Sequence, residues 1–276
     1  MIPFDFEYYK PETLEEAVQL YIELNSKGKK PLYYGGGTEI ISMARAYNVY
    51  TEAVIDIKGI PECNVQELRD NKLIIGSSVT LTQIAEANLF PLLGLTVQRI
   101  ADHTIQDKIT LGGNMAGTII YREAVLPLLI SNSEVVIANS SGIKQILLSD
   151  IFDKRIQISD EEFIVSVLID SRFLSLPYLH VKRTKSDKID YPLITLTALK
   201  DNNRINIAFS GLCDYPFRSS LIEGYLNDDS LQNNMRINNI IDNIPDSILG
   251  DLAGSADFRK FMLQKMLIEV LENLEG

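Results

Sequence analysis

The chain has 276 residues, 46% of them hydrophobic and 23% charged, and a formal net charge of −11. Such a composition suits one large or two modest globular domains with a sizeable core, not a disordered chain. The acidic balance argues against a general nucleic-acid or anionic-membrane surface, so an anionic ligand has to be held by local N–H groups and a few placed cations.

In chain order, residues 13–24 place Leu14, Ala17, Val18, Tyr21 and Leu24 at helical spacing, with Thr13 and Glu16 set as a capping box. A short strand over 32–34 then runs into Tyr33-Tyr34-Gly35-Gly36-Gly37-Thr38-Glu39-Ile40, and a helix is expected over 38–47. Three glycines between strand and helix let backbone N–H groups turn toward a charged ligand, and the helix start adds its own unpaired donors. A strand over 53–57 ends at Gly59-Ile60-Pro61, a boundary between a first lobe (about 1–58) and a second (59–170). In the second lobe the pattern predicts a strand over 72–76 and helices over 80–87 and 92–101. The second glycine segment follows, Thr110-Leu111-Gly112-Gly113-Asn114, read as a loop. A helix over 124–130 and strands over 135–138, 145–148 and 163–169 complete this part.

From residue 171 the order changes to strands over 178–182, 193–199 and 205–209, followed by helices over 219–226, 231–241 and 256–274. Strands first and helices after predict an antiparallel sheet with helices on one face. Cys63 and Cys213 are isolated and the only histidines are His103 and His180, which supports neither a disulfide framework, nor a protein-bound iron–sulfur cluster, nor a zinc site. The N-terminus lacks a basic segment followed by an apolar core. No stretch approaches the roughly twenty apolar residues of a membrane span, so a reducing cytoplasm is the expected setting.

Each glycine segment alone is a weak signal, because glycine pairs and triplets more often make ordinary turns. Neither familiar phosphate motif applies: no lysine follows Gly37 as a Walker loop requires, and Ile40 stands where a Rossmann fingerprint needs its third glycine. Together and in this order, the two segments resemble those of the flavin-binding subunit of the molybdenum hydroxylases, the family of xanthine dehydrogenase and carbon monoxide dehydrogenase. The likeness extends to Ile2-Pro3-Phe4-Asp5-Phe6 and Tyr9-Lys10-Pro11, to 162–166, to 182–191, and to Gly254-Ser255-Ala256-Asp257-Phe258-Arg259.

The resemblance implies an α+β fold. Residues 1–170 would form a two-lobed FAD-binding domain of the vanillyl-alcohol-oxidase/PCMH type, and 171–276 a C-terminal antiparallel sheet with helices of the CO dehydrogenase flavoprotein type. It implies non-covalent FAD, contacted over Tyr33, Tyr34, Gly35, Gly36, Gly37, Thr38, Glu39 and Ile40, and over Thr110, Leu111, Gly112, Gly113 and Asn114. Ile100, Glu123, Ile164, Lys182, Asp190 and Tyr191 are further single contacts. Read without it, Ile100 and Ile164 are core residues, Glu123 begins a helix, Lys182 is a strand end emerging into solvent, and Asp190-Tyr191 is a turn.

The implied partners are a small [2Fe-2S] chain and a large molybdopterin chain, with NAD as one possible electron acceptor and no nucleic acid or membrane. The chain departs from the family at Thr118-Ile119-Ile120-Tyr121-Arg122-Glu123, where small residues, a proline and an aspartate are usual. Arg122 there reads as a phosphate ligand or a solvated surface residue. Two other readings stay open: a free-standing flavin oxidoreductase using His103 or Asp190 as acid or base, and a non-catalytic paralogue with weakened FAD binding.

Overall fold

A computed structural model describes residues 2–186 and 190–275. Residues 187–189, within the 182–191 likeness, lie outside the described residues. Three parallel strands, Glu7–Tyr9, Ala53–Asp56 and Leu32–Tyr34, form a small sheet with Ala53–Asp56 in the middle. The Leu14–Ser26 helix packs on it through Leu14, Ala17, Val18, Tyr21 and Leu24, the residues the spacing singled out. Thr13 caps this helix by accepting from the Glu16 amide. The Glu16 carboxylate reaches back to the amide of Glu12 and not of Thr13, so only half of the expected capping box forms.

The second sheet has five antiparallel strands in the order Gln66–Arg69, Lys72–Gly76, Phe163–Asp170, Glu134–Asn139, Gly142–Leu147. Its central strand, Phe163–Asp170, carries a bulge between Ile164 and Ser166, which resets which residues face which side. Phe163 and Val165 enter the core of the first lobe, while Ile164, Val167 and Ile169 enter that of the second. One strand therefore serves both cores.

The C-terminal sheet, in the order Tyr178–Thr184, Pro192–Asp201, Arg204–Ser210, Phe217–Arg218, is antiparallel throughout. The helix Ala256–Leu274 packs Leu263, Met266, Leu267 and Val270 against it. Helices were expected on one face, but the other face is also covered. Leu199 and Ala208 join the second-lobe core beside the helix Val125–Ile130, and Asn206 donates to the Ile130 carbonyl at 3.1 Å. This explains why residues 192–199 are buried without alternation.

Three expectations need correction. The segment Thr110–Asn114 is no loop: Thr110 caps a helix, Leu111–Ala116, by accepting from the Gly113 amide at 3.2 Å. The helix expected over 92–101 is Pro91–Val97, and Ile100 lies beyond its end, buried in the second core. The strands Glu7–Tyr9 and Gln66–Arg69 are additional; both are short edge strands with charged residues, where period-two alternation is absent.

Candidate cofactor site

All three strands of the parallel sheet point their carboxyl ends the same way, and ligands in αβ proteins gather outside such ends. The Leu32–Tyr34 strand delivers Gly35, Gly36 and Gly37 there, and Gly37, at φ +70°, sits in left-handed conformation as the N-cap of the helix Thr38–Arg45. Among the described residues, no hydrogen bond takes the amides of Gly36, Gly37, Thr38, Glu39 or Ile40. Five unspent donors at a helix start are a built-in anion cradle.

The second segment behaves differently. Its amides are already used: Leu111 donates to Val79 O, Gly112 to Ser77 O, Gly113 to Thr110 Oγ1 and Asn114 to Thr110 O. Its glycines serve close approach, since a Cβ on Gly112 would lie 2.6 Å from the Ser77 Cβ. The two segments also touch each other. A Cβ on Gly36 would fall 1.6 Å from the Lys108 carbonyl oxygen, and one on Gly35 2.7 Å from Thr110 Oγ1. The first segment thus supplies donors, and the second a wall without side chains.

Between them lies a cavity of about 120 Å³ lined by Gly35, Ile57, Ser77, Thr110, Gly112, Gly113, Ala116, Ile158, Glu162, Phe163 and Ile164. Of the residues expected at a cofactor, this cavity brings together Gly35, Thr110, Gly112, Gly113 and Ile164. It is roomy enough for several waters and far smaller than a whole dinucleotide. Glu162 brings a carboxylate to this wall, but Lys144, Asn139 and the Ser159 amide all donate to it. Burial pushes its pKa up, and those partners outweigh burial to hold it below the ordinary value.

The other expected residues are engaged by the protein. Tyr33 stacks on Tyr21 at 5.1 Å, packs against Phe163 and donates to the Glu161 carbonyl, which commits it to the first core. The Tyr34 ring lies under Lys58 Nζ at 4.5 Å and against Gly37. Leu111 is fully buried in the second core. The Glu39 carboxylate accepts from the Thr118 amide at 2.7 Å and its hydroxyl at 2.6 Å, tying the first segment to the stretch where the chain leaves the family pattern. Asn114 Oδ1 accepts from the Ala124 amide. Asp190 accepts from the Tyr191 amide, and the exposed Tyr191 stacks on Tyr121 at 4.9 Å and 18°. His103 is exposed in the short helix His103–Gln106 and does not line the cavity.

Glu123 and Lys182 meet each other. Lys182 Nζ lies 3.0 Å from Glu123 Oε2 and 2.7 Å from the Arg99 carbonyl, and Thr195, directly opposite Lys182 in the ladder, donates to Glu123 Oε1 at 2.5 Å. Both side chains are buried, at 2% and 4% exposure. Lys182 is therefore no solvent-facing strand end, and Glu123 starts no helix. Burial pushes the Glu123 carboxyl up, opposed by Lys182 and Thr195.

Two further side chains stand out. Arg122 is not solvated and, among the described residues, forms no salt bridge: it is 2% exposed, donates to the Lys154 carbonyl at 2.7 Å and sits over the Phe152 ring, with Nε and Nη1 unpartnered among those residues. Burial, with Arg155 nearby, lowers its pKa to about 10. Among the described residues neither ring nitrogen of His180, which is 8% exposed, has a partner, and the hydroxyl of Thr197 opposite it has none either. Burial first, then Arg99 and Lys182, depress its pKa to about 3.

His180 should make the fold acid-sensitive. A histidine with a depressed native pKa contributes stability that is present above its unfolded value near 6.5 and is lost as pH falls toward 3. Between pH 7 and pH 5 its share of the loss should be about 2 kcal/mol. Urea unfolding of wild type and His180→Phe at both pH values measures this share as the difference between their losses; equal losses would show that His180 does not titrate in this window.

Sequence reasoning missed Lys58 and Ser77. Lys58 donates to the Gly35 carbonyl at 2.7 Å and to Asp56 at 2.8 Å, holding the first segment from below. Its one sequence signal was its place just beyond a strand's carboxyl end. Ser77 carried none.

The architecture is that of a two-lobed αβ protein with a cavity between two glycine segments and a third, sheet-and-helix unit behind it. The chain belongs to the family described as the FAD binding domain in molybdopterin dehydrogenase, whose profile matches residues 4–170. It is 27% identical over 175 residues to the nicotinate dehydrogenase FAD-subunit of Eubacterium barkeri and 32% identical over 121 residues to the carbon monoxide dehydrogenase medium chain of Hydrogenophaga pseudoflava. These matches cover 60% and 42% of this chain, and 58% and 41% of the relatives. The solved carbon monoxide dehydrogenase of Hydrogenophaga pseudoflava shares the fold at a TM-score of 0.88 and 20% identity, covering 99% of this chain and 98% of that one. Quinoline 2-oxidoreductase from Pseudomonas putida 86 does so at 0.86 and 18%, covering 100% and 99%.

Proposed function

We propose that the chain is the FAD-binding, electron-transferring subunit of a multi-subunit molybdenum hydroxylase. Residues 1–170 hold the cofactor, and residues 171–276 close the second lobe from behind. The observation that carries this reading is the pairing of five unspent amides, Gly36 to Ile40, with a side-chain-free wall at Gly112 and Gly113. Bound there, FAD supplies the capacity to take electrons singly and release them in pairs. The chain's own residues bind the phosphates, shield the site with Ile57, Phe163 and Ile164, and fix the first segment through Lys58 and Glu39.

Cys63 and Cys213 sit in separate cores, which supports placing [2Fe-2S] centres on a small partner chain and substrate oxidation on a large molybdopterin chain. NAD or another acceptor then receives the electrons. Titration of FAD into the apo chain, followed by flavin absorbance and fluorescence, should show stoichiometric binding that survives gel filtration; no binding at saturating FAD would sink the proposal.

One observation favours a second reading, a paralogue with weakened FAD binding. Glu39, Asn114, Glu123 and Lys182, all assigned to the cofactor by resemblance, are occupied by protein partners. Weak or absent retention in the same titration would select it.

A further inference from the structure

The close contacts of the first glycine segment leave one of its peptides without a built-in direction. Gly35 and Gly36 must both lack a side chain, because a Cβ would strike Thr110 Oγ1 from the first and the Lys108 carbonyl oxygen from the second. Glycine on both sides lets a peptide plane rotate at little cost, so these contacts alone allow the Gly35–Gly36 peptide to present either its N–H or its C=O to an incoming anion. Lys58 resolves this. Its Nζ donates to the Gly35 carbonyl at 2.7 Å, and in a trans peptide the C=O and N–H point in opposite directions. With the carbonyl turned to Lys58, the Gly36 N–H points away from it, and among the described residues no hydrogen bond takes that amide. Lys58 is itself held in place. Asp56 Oδ1 accepts from its Nζ at 2.8 Å and from its amide at 3.0 Å, and the Tyr34 ring lies 4.5 Å from the Nζ. Tyr8, on the neighbouring strand Glu7–Tyr9, donates to Asp56 Oδ2 at 2.5 Å. Burial pushes the Asp56 carboxyl up, and Lys58 and Tyr8 outweigh burial to hold it below its ordinary value.

We propose that Lys58 is a positioning residue that fixes the Gly35–Gly36 peptide with its N–H toward the cofactor's phosphates, and that Asp56 and Tyr8 aim it. This rests on the flavin-binding reading and deepens it, since the direction of a cradle donor is set by a cation behind it that does not touch the anion. Two effects combine. A peptide turned the other way offers a carbonyl oxygen to the phosphate, so only the fraction of molecules with the N–H outward binds. A cation on the carbonyl also polarises the peptide and strengthens its N–H as a donor. Because Asp56 is paired with Lys58, the device adds little net charge, and its action is orientation more than long-range attraction.

The test uses Lys58→Met and Lys58→Arg in the full chain. FAD and inorganic pyrophosphate are titrated separately into apo protein by calorimetry, and crystal structures of apo wild type and apo Lys58→Met show the direction of the Gly35–Gly36 peptide. Lys58 is exposed, and Asp56 keeps the residue 58 amide and Tyr8 as donors, so the fold should stand in both variants. Lys58→Met should weaken both ligands roughly 5- to 30-fold, with the peptide turned over or divided between two directions. Lys58→Arg keeps a cationic donor and should retain most of the affinity. Weaker binding with the peptide unmoved would make Lys58 a direct phosphate ligand or a general support, and a turned peptide with unchanged affinities would make its direction irrelevant. Either result overturns the assignment, as does an equal loss in both variants. Wild type that binds pyrophosphate in a Lys58-dependent way but ignores FAD would sink the flavin reading while upholding the positioning role. Wild type that binds neither overturns both.

Discussion

Lys182→Met should destabilise the chain by about 3–5 kcal/mol at pH 7, the range seen when one partner of a buried ion pair is removed. Glu123 would be left 4% exposed with Thr195 as its one remaining donor. The carboxylate has an escape, which is to take up a proton. From the ordinary value of 4.5, protonation at pH 7 costs about 3.4 kcal/mol, which caps the electrostatic part of the penalty. The cap shrinks as the pH falls. A carboxyl whose native pKa is raised contributes stability that is present below its unfolded value and is lost as pH rises through its folded one. The variant should therefore lose about 2–3 kcal/mol more, relative to wild type, at pH 7 than at pH 5. Adding Glu123→Gln should recover most of the deficit at pH 7. Urea unfolding of the three proteins at both pH values checks this. A loss under about 1 kcal/mol, the scale of a surface pair, would mean that the pair is not shielded from water.

Gly113→Val should abolish FAD retention, by at least 100-fold in affinity or about 2.7 kcal/mol, while the fold survives. Gly113 is exposed at the cavity edge, and a Cβ there meets only Thr110 Oγ1, at 2.9 Å. A branched side chain fills the space where phosphates would sit. Gly112→Ala is the counter-experiment. Its Cβ would collide with the buried Ser77 backbone and side chain, so it should unfold or loosen the protein before its effect on FAD can be read. Equilibrium binding and thermal midpoints for both variants separate ligand space from packing space. A Gly113→Val protein with wild-type FAD affinity would remove the cavity from consideration as the cofactor site.

The two glycine segments differ in how legible they were. Gly35 to Gly37 announced itself because strand, triplet and helix start are all local patterns. Thr110 to Asn114 looked like a loop because Gly-Gly is a poor helix former. The Thr110 cap and the close approach to Ser77, a contact between residues 35 apart, override that propensity. Glu123 and Lys182, 59 residues apart, carry no local mark of their pairing. Resemblance grouped them as cofactor contacts, and only the ladder register, with Lys182 opposite Thr195, shows why both donors reach one carboxylate. Ser77 was invisible for another reason: only the fold brings it against Gly112. The C-terminal unit was the easiest to read, since its strands are apolar runs and the Ala256–Leu274 helix matches its expected span.

The bulged strand Phe163–Asp170 bolts the two lobes together. Swinging one away from the other would strip Phe163 and Val165 from the first core, or Ile164, Val167 and Ile169 from the second, at about 1.5–3 kcal/mol for each side chain. A clamshell motion is thereby forbidden at ordinary temperatures. A cofactor would have to thread into a slot whose jaws are already fixed, so the rates of loading and loss would be governed by small movements of the rim. The Glu39–Thr118 hydrogen bonds, which tie the first glycine segment to the following stretch, would be one contact that such movements must strain.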